Sequence, residues 1–273
     1  MKKKALLAVI LIGSIFLFFF QKNGKASRKI QPQVVAVFPS SDTIAANLLR
    51  LYIHFSNPMK PIGNLEKIQL KNENGDEIVG AIFNNVHELW NHEQTQLTLL
   101  LDPSRVKTGL GSHEERGRAL ISGKSYQLTI GALQDVEGRR TVPFTRIFMV
   151  NEEDLMPPNT DLWTFDLPKA GNQGPLIVRF PKMLDRLSLI QRLKLVNEEN
   201  IPLTGRIEIA NNESAWLFHP DQSWIPGHYT LYVHSRLEDP SGNNLNGLFD
   251  HQAGNLKNER EGLIKSINLE ILR

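Results

Sequence analysis

An internal repeat constrains this chain more than any other feature. Leu51-Tyr52-Ile53-His54-Phe55-Ser56-Asn57-Pro58-Met59 reads against Leu176-Ile177-Val178-Arg179-Phe180-Pro181-Lys182-Met183-Leu184 at a constant offset of 125 positions. At the same offset Ile68, Leu70, Asn72, Ile78, Gly80 and Ile82 fall on Leu193, Leu195, Asn197, Leu203, Gly205 and Ile207. The offset then shrinks, because the first copy carries extra residues around 104–119. Beyond them Gly123-Lys124-Ser125-Tyr126 answers Gly227-His228-Tyr229, and Leu133-Gln134-Asp135-Val136-Glu137-Gly138 answers Leu237-Glu238-Asp239-Pro240-Ser241-Gly242. A chain that repeats one internal order is read as two copies of one module.

The module reads as β. Tyr126, Leu128 and Ile130 alternate with Gln127 and Thr129, and Tyr229, Leu231 and Val233 repeat that spacing, the period that buries one face of a strand. Turn residues separate the runs at Asn72-Glu73-Asn74-Gly75-Asp76, Ser122-Gly123-Lys124, Ile225-Pro226-Gly227 and Pro240-Ser241-Gly242-Asn243. Short strands in units of about 110 residues predict immunoglobulin-like sandwiches. The expected fold class is therefore all-β: two tandem immunoglobulin-like β-sandwiches after an N-terminal hydrophobic leader helix. The expected boundaries are 1–29 for a signal peptide or membrane anchor, 30–150 for the first sandwich, 151–161 for a linker stiffened by Pro157-Pro158, and 162–273 for the second.

Phe55-Ser56-Asn57-Pro58-Met59 resembles the F-S-x-P-M of bacterial Ig-like domains in surface-layer and other envelope proteins. Gly227-His228-Tyr229 with Leu237-Glu238-Asp239-Pro240-Ser241-Gly242-Asn243 is similar to the G-x-Y … D-x-x-G-N ending of that module. Leu97 to Lys107 also resembles a segment of exported bacterial proteins with two such modules. The resemblance covers residues 35–250. The first copy departs from it at Arg139, where the final asparagine would stand, and the second has Pro181-Lys182-Met183 for S-x-P-M. The resemblance implies an all-β envelope protein with a spacer, adhesive or assembly role and no catalytic residues.

Charge and location follow from the N-terminus. Lys2-Lys3-Lys4 precede Ala5 to Phe20, sixteen residues without a charge. This is the n-region and h-region of an export signal. As a helix the run would extend about 24 Å, short of the ~30 Å hydrocarbon core. Its phenylalanine-rich end and lysine-flanked Gly24-Lys25-Ala26 leave cleavage and retention as an anchor both open, with membrane contact through residues 5–20 in the second case. Residues 1–29 hold seven of the 31 basic groups and no acid, so the body carries 24 basic against 29 acidic side chains. A body with net charge of −5 lacks the bulk charge that displaces phosphate counterions, and nucleic acid is not an expected partner. The absence of cysteine excludes disulfides, thiolate nucleophiles and thiolate metal sites.

Four stretches invite chemistry. His87-Glu88-Leu89-Trp90-Asn91-His92 is one residue from H-E-x-x-H, but its histidines are i and i+5, about 140° apart on a helix, in a segment without helical context. Asp239, Ser241 and Asn243 offer oxygens at alternate positions. Without an EF-hand's bidentate Glu, a tight turn with Gly242 or Asn243 at positive φ is the favoured reading over calcium. Trp216, Phe218, Trp224 and Tyr229, with Glu213 nearby, would form either core or a sugar-stacking platform, and core is favoured. Arg105, Lys107, Arg116 and Arg118 bracket the insertion, which reads as a solvated loop, dispensable for folding, where a partner would be sought first.

The expectation is a non-enzymatic exported envelope protein, periplasmic, at the cell surface or anchored facing outward. It would have no catalytic, cofactor or metal residues, and would interact with envelope or surface proteins. The alternative is a carbohydrate- or polymer-binding accessory using the aromatic cluster of the second copy.

Overall fold

Two separate clusters of buried apolar side chains organise the chain, one running from Val37 to Val150 and the other from Trp163 to Ile271. The computed structural model describes residues 31–84, 87–108, 111–250 and 262–273. The expected signal or anchor at 1–29 lies outside them, and among the described residues no helix is long and apolar enough to cross a membrane.

Around the first core lie β1 (Val34–Phe38), β2 (Thr43–Ala45), β3 (Arg50–Phe55), β4 (Ile68–Lys71), β5 (Leu89–Trp90), β6 (Gln96–Leu100), β7 (Ser125–Ile130) and β8 (Phe144–Asn151). They form two sheets, β1-β3-β6-β5 and β2-β8-β7-β4. Around the second lie β9 (Thr164–Asp166), β10 (Leu176–Arg179), β11 (Leu193–Val196), β12 (Gly205–Ala210), β13 (Ala215–Pro220), β14 (Gly227–His234) and β15 (Ile264–Ile271). Their sheets are β9-β10-β13-β12 and β11-β14-β15. Strand for strand the second set repeats the order of the first, except that no described strand takes the place of β2, which lies parallel to β8. The fold is all-β, two immunoglobulin-like sandwiches.

The alternation of the sequence is the alternation of burial. Tyr126, Leu128 and Ile130 point into one core and Tyr229, Leu231 and Val233 into the other. In each copy the tyrosine hydroxyl closes onto backbone just upstream, accepting from Ile121 N at 2.8 Å in the first and donating to Ile225 O at 2.9 Å in the second. This is the corner device of immunoglobulin sandwiches, a polar handle satisfied locally so that the ring can be buried. Three short helices interrupt the β pattern: α1 (Pro103–Val106), α2 (Gly111–Arg116) and α3 (Arg186–Gln191). At four to six residues they are too short to show a helical period. The first and third are started by aspartate caps, Asp102 accepting from Ser104 N and Asp185 from Ser188 N.

The glycines repeated at 80 and 205 serve different needs. Gly80 has φ +68, whereas Gly205 lies in β12 where an added Cβ would sit 2.3 Å from His219 O and 2.7 Å from the Phe218 ring. Backbone cannot give way as a side chain tip can. Gly205→Ala is expected to cost about 1–3 kcal/mol by overpacking, read as a lower denaturant midpoint with an unchanged m-value.

Candidate functional site: a polar seam between the sandwiches

Each sandwich closes its own apolar core, and the bonds that join them are largely polar, with the buried Leu49 beside Gly242. At the centre stands Lys182, in the loop after β10. Its ammonium donates to Asp239 Oδ2 at 2.7 Å, to Asp154 Oδ2 at 2.6 Å and to the Met156 carbonyl. Asp154 and Met156 belong to the stretch read as a linker, and Asp239 to the last turn of the second copy. Asn47 of the first copy completes the cluster: its carboxamide donates to Asp154 O, and its Oδ1 accepts from Asp154 N and from Ser241 Oγ, each at 2.9 Å.

Further pairs extend the seam. Ser40 donates through N and Oγ to the Glu213 carboxylate at 2.8 and 2.9 Å. Tyr52 donates to Asp185 Oδ2 at 2.7 Å, leaving Oδ1 to cap α3. Arg50 donates to Glu238 at 2.6 Å, Leu49 N to Pro240 O at 2.9 Å, and the Arg186 guanidinium covers the Phe38 ring at 4.0 Å. Asp239, Asp185, Glu213, Asn47, Ser241 and Asn243 are all buried, and all have partners. Buried polar groups are tolerated when they are satisfied, as these six are, while the Nε atoms of Arg50 and Arg186 at the margin are buried without a partner.

The turn at 239–243 resolves as a tight turn, with Gly242 at φ +80 and Asp239 Oδ1 accepting from Ser241 N and Asn243 N. The oxygens that invited a calcium ion face Lys182 and Asn243 instead. Burial pushes the Asp239 carboxyl up to about 6 in spite of the Lys182 charge beside it. The matching Asp135 of the first copy is equally inaccessible. Burial alone would raise it too, but the Arg139 guanidinium at 2.6 Å and the turn amides outweigh burial and hold it below the ordinary range.

The other candidate stretches divide. His87 and His92 are exposed at opposite ends of β5, and Glu88 between them accepts from Asn64 Nδ2, Leu65 N and Trp90 Nε1, fixing a loop. Among the described residues no cluster of three His, Asp or Glu could hold a metal ion. Trp216, Phe218, Trp224 and Tyr229 are 1%, 5%, 3% and 8% exposed, stacked or edge-on within the second core. No ring face is presented, so the sugar-platform alternative is corrected: these rings are core, and Glu213 faces Ser40 rather than a ligand. Trp224 lines a groove of about 310 Å³, yet its indole N–H is spent on Gly174 O at 2.7 Å.

The insertion also differs from expectation. Arg105 is buried, its guanidinium donating to the carbonyls of Val79, Arg116, Gly117 and Arg118, which makes it the centre of a fold rather than a solvated loop. Removing residues 108–119 would strand that cation. The insertion's far side meets the second copy: Thr108 N and Oγ1 donate to Asp250, Arg118 lies near the same carboxylate at 3.7 Å, and Lys107 sits over the Phe249 ring at 4.5 Å. The partner sought at this loop is, in part, the chain's own second half.

Beside the seam runs a groove of about 580 Å³ lined by Ile44, Leu48, Met149, Met156, Met183 and Lys182. Its carboxylates are engaged, Glu152 with Ser122, Glu153 with Arg118 and Asp154 with Lys182. What it presents is apolar surface and thioethers, adaptable groups that fill irregular shapes.

Two outcomes follow from the seam. Lys182→Met leaves two carboxylates facing each other without a cation and is expected to cost about 2–4 kcal/mol. Adding Asp239→Asn to that variant should restore part of the loss, a coupling read from denaturant midpoints of the four proteins. Asp239 also sets a pH dependence. Its folded pKa near 6 lies above the ordinary 3.8, so the folded state holds the proton more tightly. The stability it contributes is complete below about pH 4 and is lost as pH rises to about 6. The stability difference between the native chain and Asp239→Asn should therefore shrink over that window. A difference constant from pH 4 to 7 would contradict the assignment.

No family model matches the chain, and no curated protein matches it. Solved structures do. CopC from Methylosinus trichosporium OB3b is similar at 16% identity and TM-score 0.31, over 46% of this chain and 98% of that one. The N-terminal part of the bacterial S-layer protein SbsC is similar at 11% identity and TM-score 0.33, over 89% of this chain. The chain spans 44% of that S-layer structure, less than half its length. The titin Ig tandem A164-A165 is similar at 10% identity and TM-score 0.23, over 85% of this chain and 91% of that one. At such scores the fold assignment rests on the chain's own strand order and two cores.

Proposed function

We propose that this chain is an exported, non-catalytic component of the bacterial cell envelope, a rigid pair of sandwiches that spaces or engages other envelope proteins. The seam carries the reading: Lys182 shared between Asp154 and Asp239 ties the connecting stretch and the second sandwich into one body. A pair held by a polar network keeps a fixed reach, which suits a spacer or scaffold better than two beads on a flexible string. The lysine-headed apolar run at residues 5–20 supports export, and a cysteine-free chain with two large cores has no need of disulfides. The grooves described offer apolar surface whose polar neighbours are already paired, rather than convergent reactive groups.

Fractionation and cross-linking of cells expressing the full chain test this. The chain is expected in the envelope fraction, cleaved by protease added outside the cytoplasmic membrane, and cross-linked to envelope proteins. Recovery in the cytosol, or an envelope chain with no cross-linked neighbour, would count against it.

A further inference from the structure

The two copies differ at one sheet edge. In the first, β8 is covered by β2, which runs parallel to it with Thr43, Ile44 and Ala45 opposite Met149, Val150 and Asn151. Met149 N donates to Asp42 O at 2.8 Å, and Ala46 N donates to Asn151 O at 3.2 Å. The equivalent strand of the second copy is β15. It pairs with β14 on one side over eight residues, Ile264 to Ile271, and among the described residues with no strand on the other.

The direction of each backbone group along β15 follows from its neighbours. Ser235 N donates to Leu263 O across the ladder, so Leu263 and, by alternation, Lys265, Ile267, Leu269 and Ile271 face β14. Ile264, Ser266, Asn268, Glu270 and Leu272 face the other way. Ala170 N donates to Leu272 O at 3.1 Å, a bond equivalent to that of Ala46 in the first copy. There the resemblance stops. With Ala170 set against Ala46, Pro168 stands where Ile44 does, and the outward N–H and C=O of Ile264, Ser266, Asn268 and Glu270 have no backbone partner among the described residues.

Side chains distinguish the two edges as well. Opposite Leu128 in the first copy is Arg146, whose guanidinium reaches the carbonyls of Val37, Pro39 and Ser41 and ties down the segment leading to β2. Opposite Leu231 in the second copy is Ile267, half-buried, an apolar seat at the rim of the core. Native edges are commonly blunted by proline or an inward-pointing charge. Here Pro168 guards one end and Lys265, paired with Asp161 at 2.5 Å, the other, while the middle from Ser266 to Glu270 is unguarded.

We propose that the open edge of β15 is a strand-addition site. It takes an extended segment of a partner polypeptide lying parallel to it, in the direction β2 runs along β8 but displaced toward the start of the strand, with an apolar side chain beside Ile267. Main-chain bonds to Ser266, Asn268 and Glu270 would supply affinity, and the apolar seat would select the residue between polar neighbours. The site deepens the reading of the chain as an interaction module and rests on it.

The probe is a synthetic peptide of residues 40–47, Ser-Ser-Asp-Thr-Ile-Ala-Ala-Asn, added to the purified native chain. Amide exchange at Ser266, Asn268 and Glu270 should slow by about tenfold or more at saturation, while Lys265, Ile267 and Leu269 stay as they are. Ser266→Pro and Asn268→Pro remove outward donors alone, so both should fold and lose that protection. If a proline variant fails to fold, acetylated-peptide competition on the native chain gives the same reading. No slowing at millimolar peptide, or slowing elsewhere, overturns the proposal. So does peptide-free, concentration-dependent protection of the same amides, which would assign the edge to a second copy. Envelope cross-linking that survives in Asn268→Pro would sink this site and leave the interaction module standing.

Discussion

The arrangement of this molecule depends on one half-buried ammonium. Lys182 stands between Asp154 and Asp239, about a fifth exposed, with the Asp239 carboxylate wholly inaccessible. Taking three charges largely out of water is unfavourable unless each finds partners, and the seam supplies them: turn amides, the Asn243 carboxamide and the Met156 carbonyl. A greasy interface would tolerate sliding, because apolar contact is non-directional. A lysine with three directed bonds does not. The seam contributes less to stability than to uniqueness, fixing one relation between sandwiches whose cores are already complete.

The two sandwiches build the final turn on a common plan. Both copies bury an aspartate at the head of the final turn, and both must neutralise it. In the first, the cation is Arg139 at the end of the same turn, and Asn57 lies beside it, its carboxamide turned so that the oxygen meets the guanidinium at 3.1 Å. In the second, the repeat position of Asn57 is Lys182 and that of Arg139 is Asn243. Cation and amide have exchanged places. With the cation on the turn, the aspartate is satisfied locally; with it on the preceding loop, the ammonium has a free side to turn toward Asp154. Asn243 in exchange reaches Asp154 O at 2.9 Å. The placement of cation and amide makes the first turn self-contained and the second a joint.

The fold was readable because burial has a period. Alternation in Tyr126–Ile130 and Tyr229–Val233 comes from the pleat, which acts locally and leaves a regular trace, and the offset of 125 sets two like patterns side by side. The aromatic cluster was readable as core for the same reason. The seam was less so. Arg139 stood out as a departure, yet its exchange with Lys182 has meaning only once the two loops are known to meet in space. Glu213, Ser40 and Asn47 carry no period and no motif, and side-chain pairs spanning more than a hundred residues leave no mark in one sequence. The insertion misled because its charges suggested solvent. A guanidinium can be buried if four carbonyls surround it, and the carbonyls of a short helix and its exit are invisible to composition.

Duplicating a sandwich also duplicates its exposed edges, and each copy must dispose of its own. The first spends β2 and Arg146 on the outer edge of β8, a segment of chain and a cation drawn from within the same module. The second has the same length of chain at the same place, Leu167 to Ala170, but Pro168 cannot donate and the segment touches only the end of β15. Pro168 lacks the amide a covering strand would donate, and among the described residues no strand lies against the outward backbone from Ile264 to Glu270. Since the seam engages the loops after β10 and before β2, the first copy's closed edge and the joint share the segment around Ser40 and Ser41. The closed edge and the joint thus hold the same segment, whereas no described seam bond involves β15.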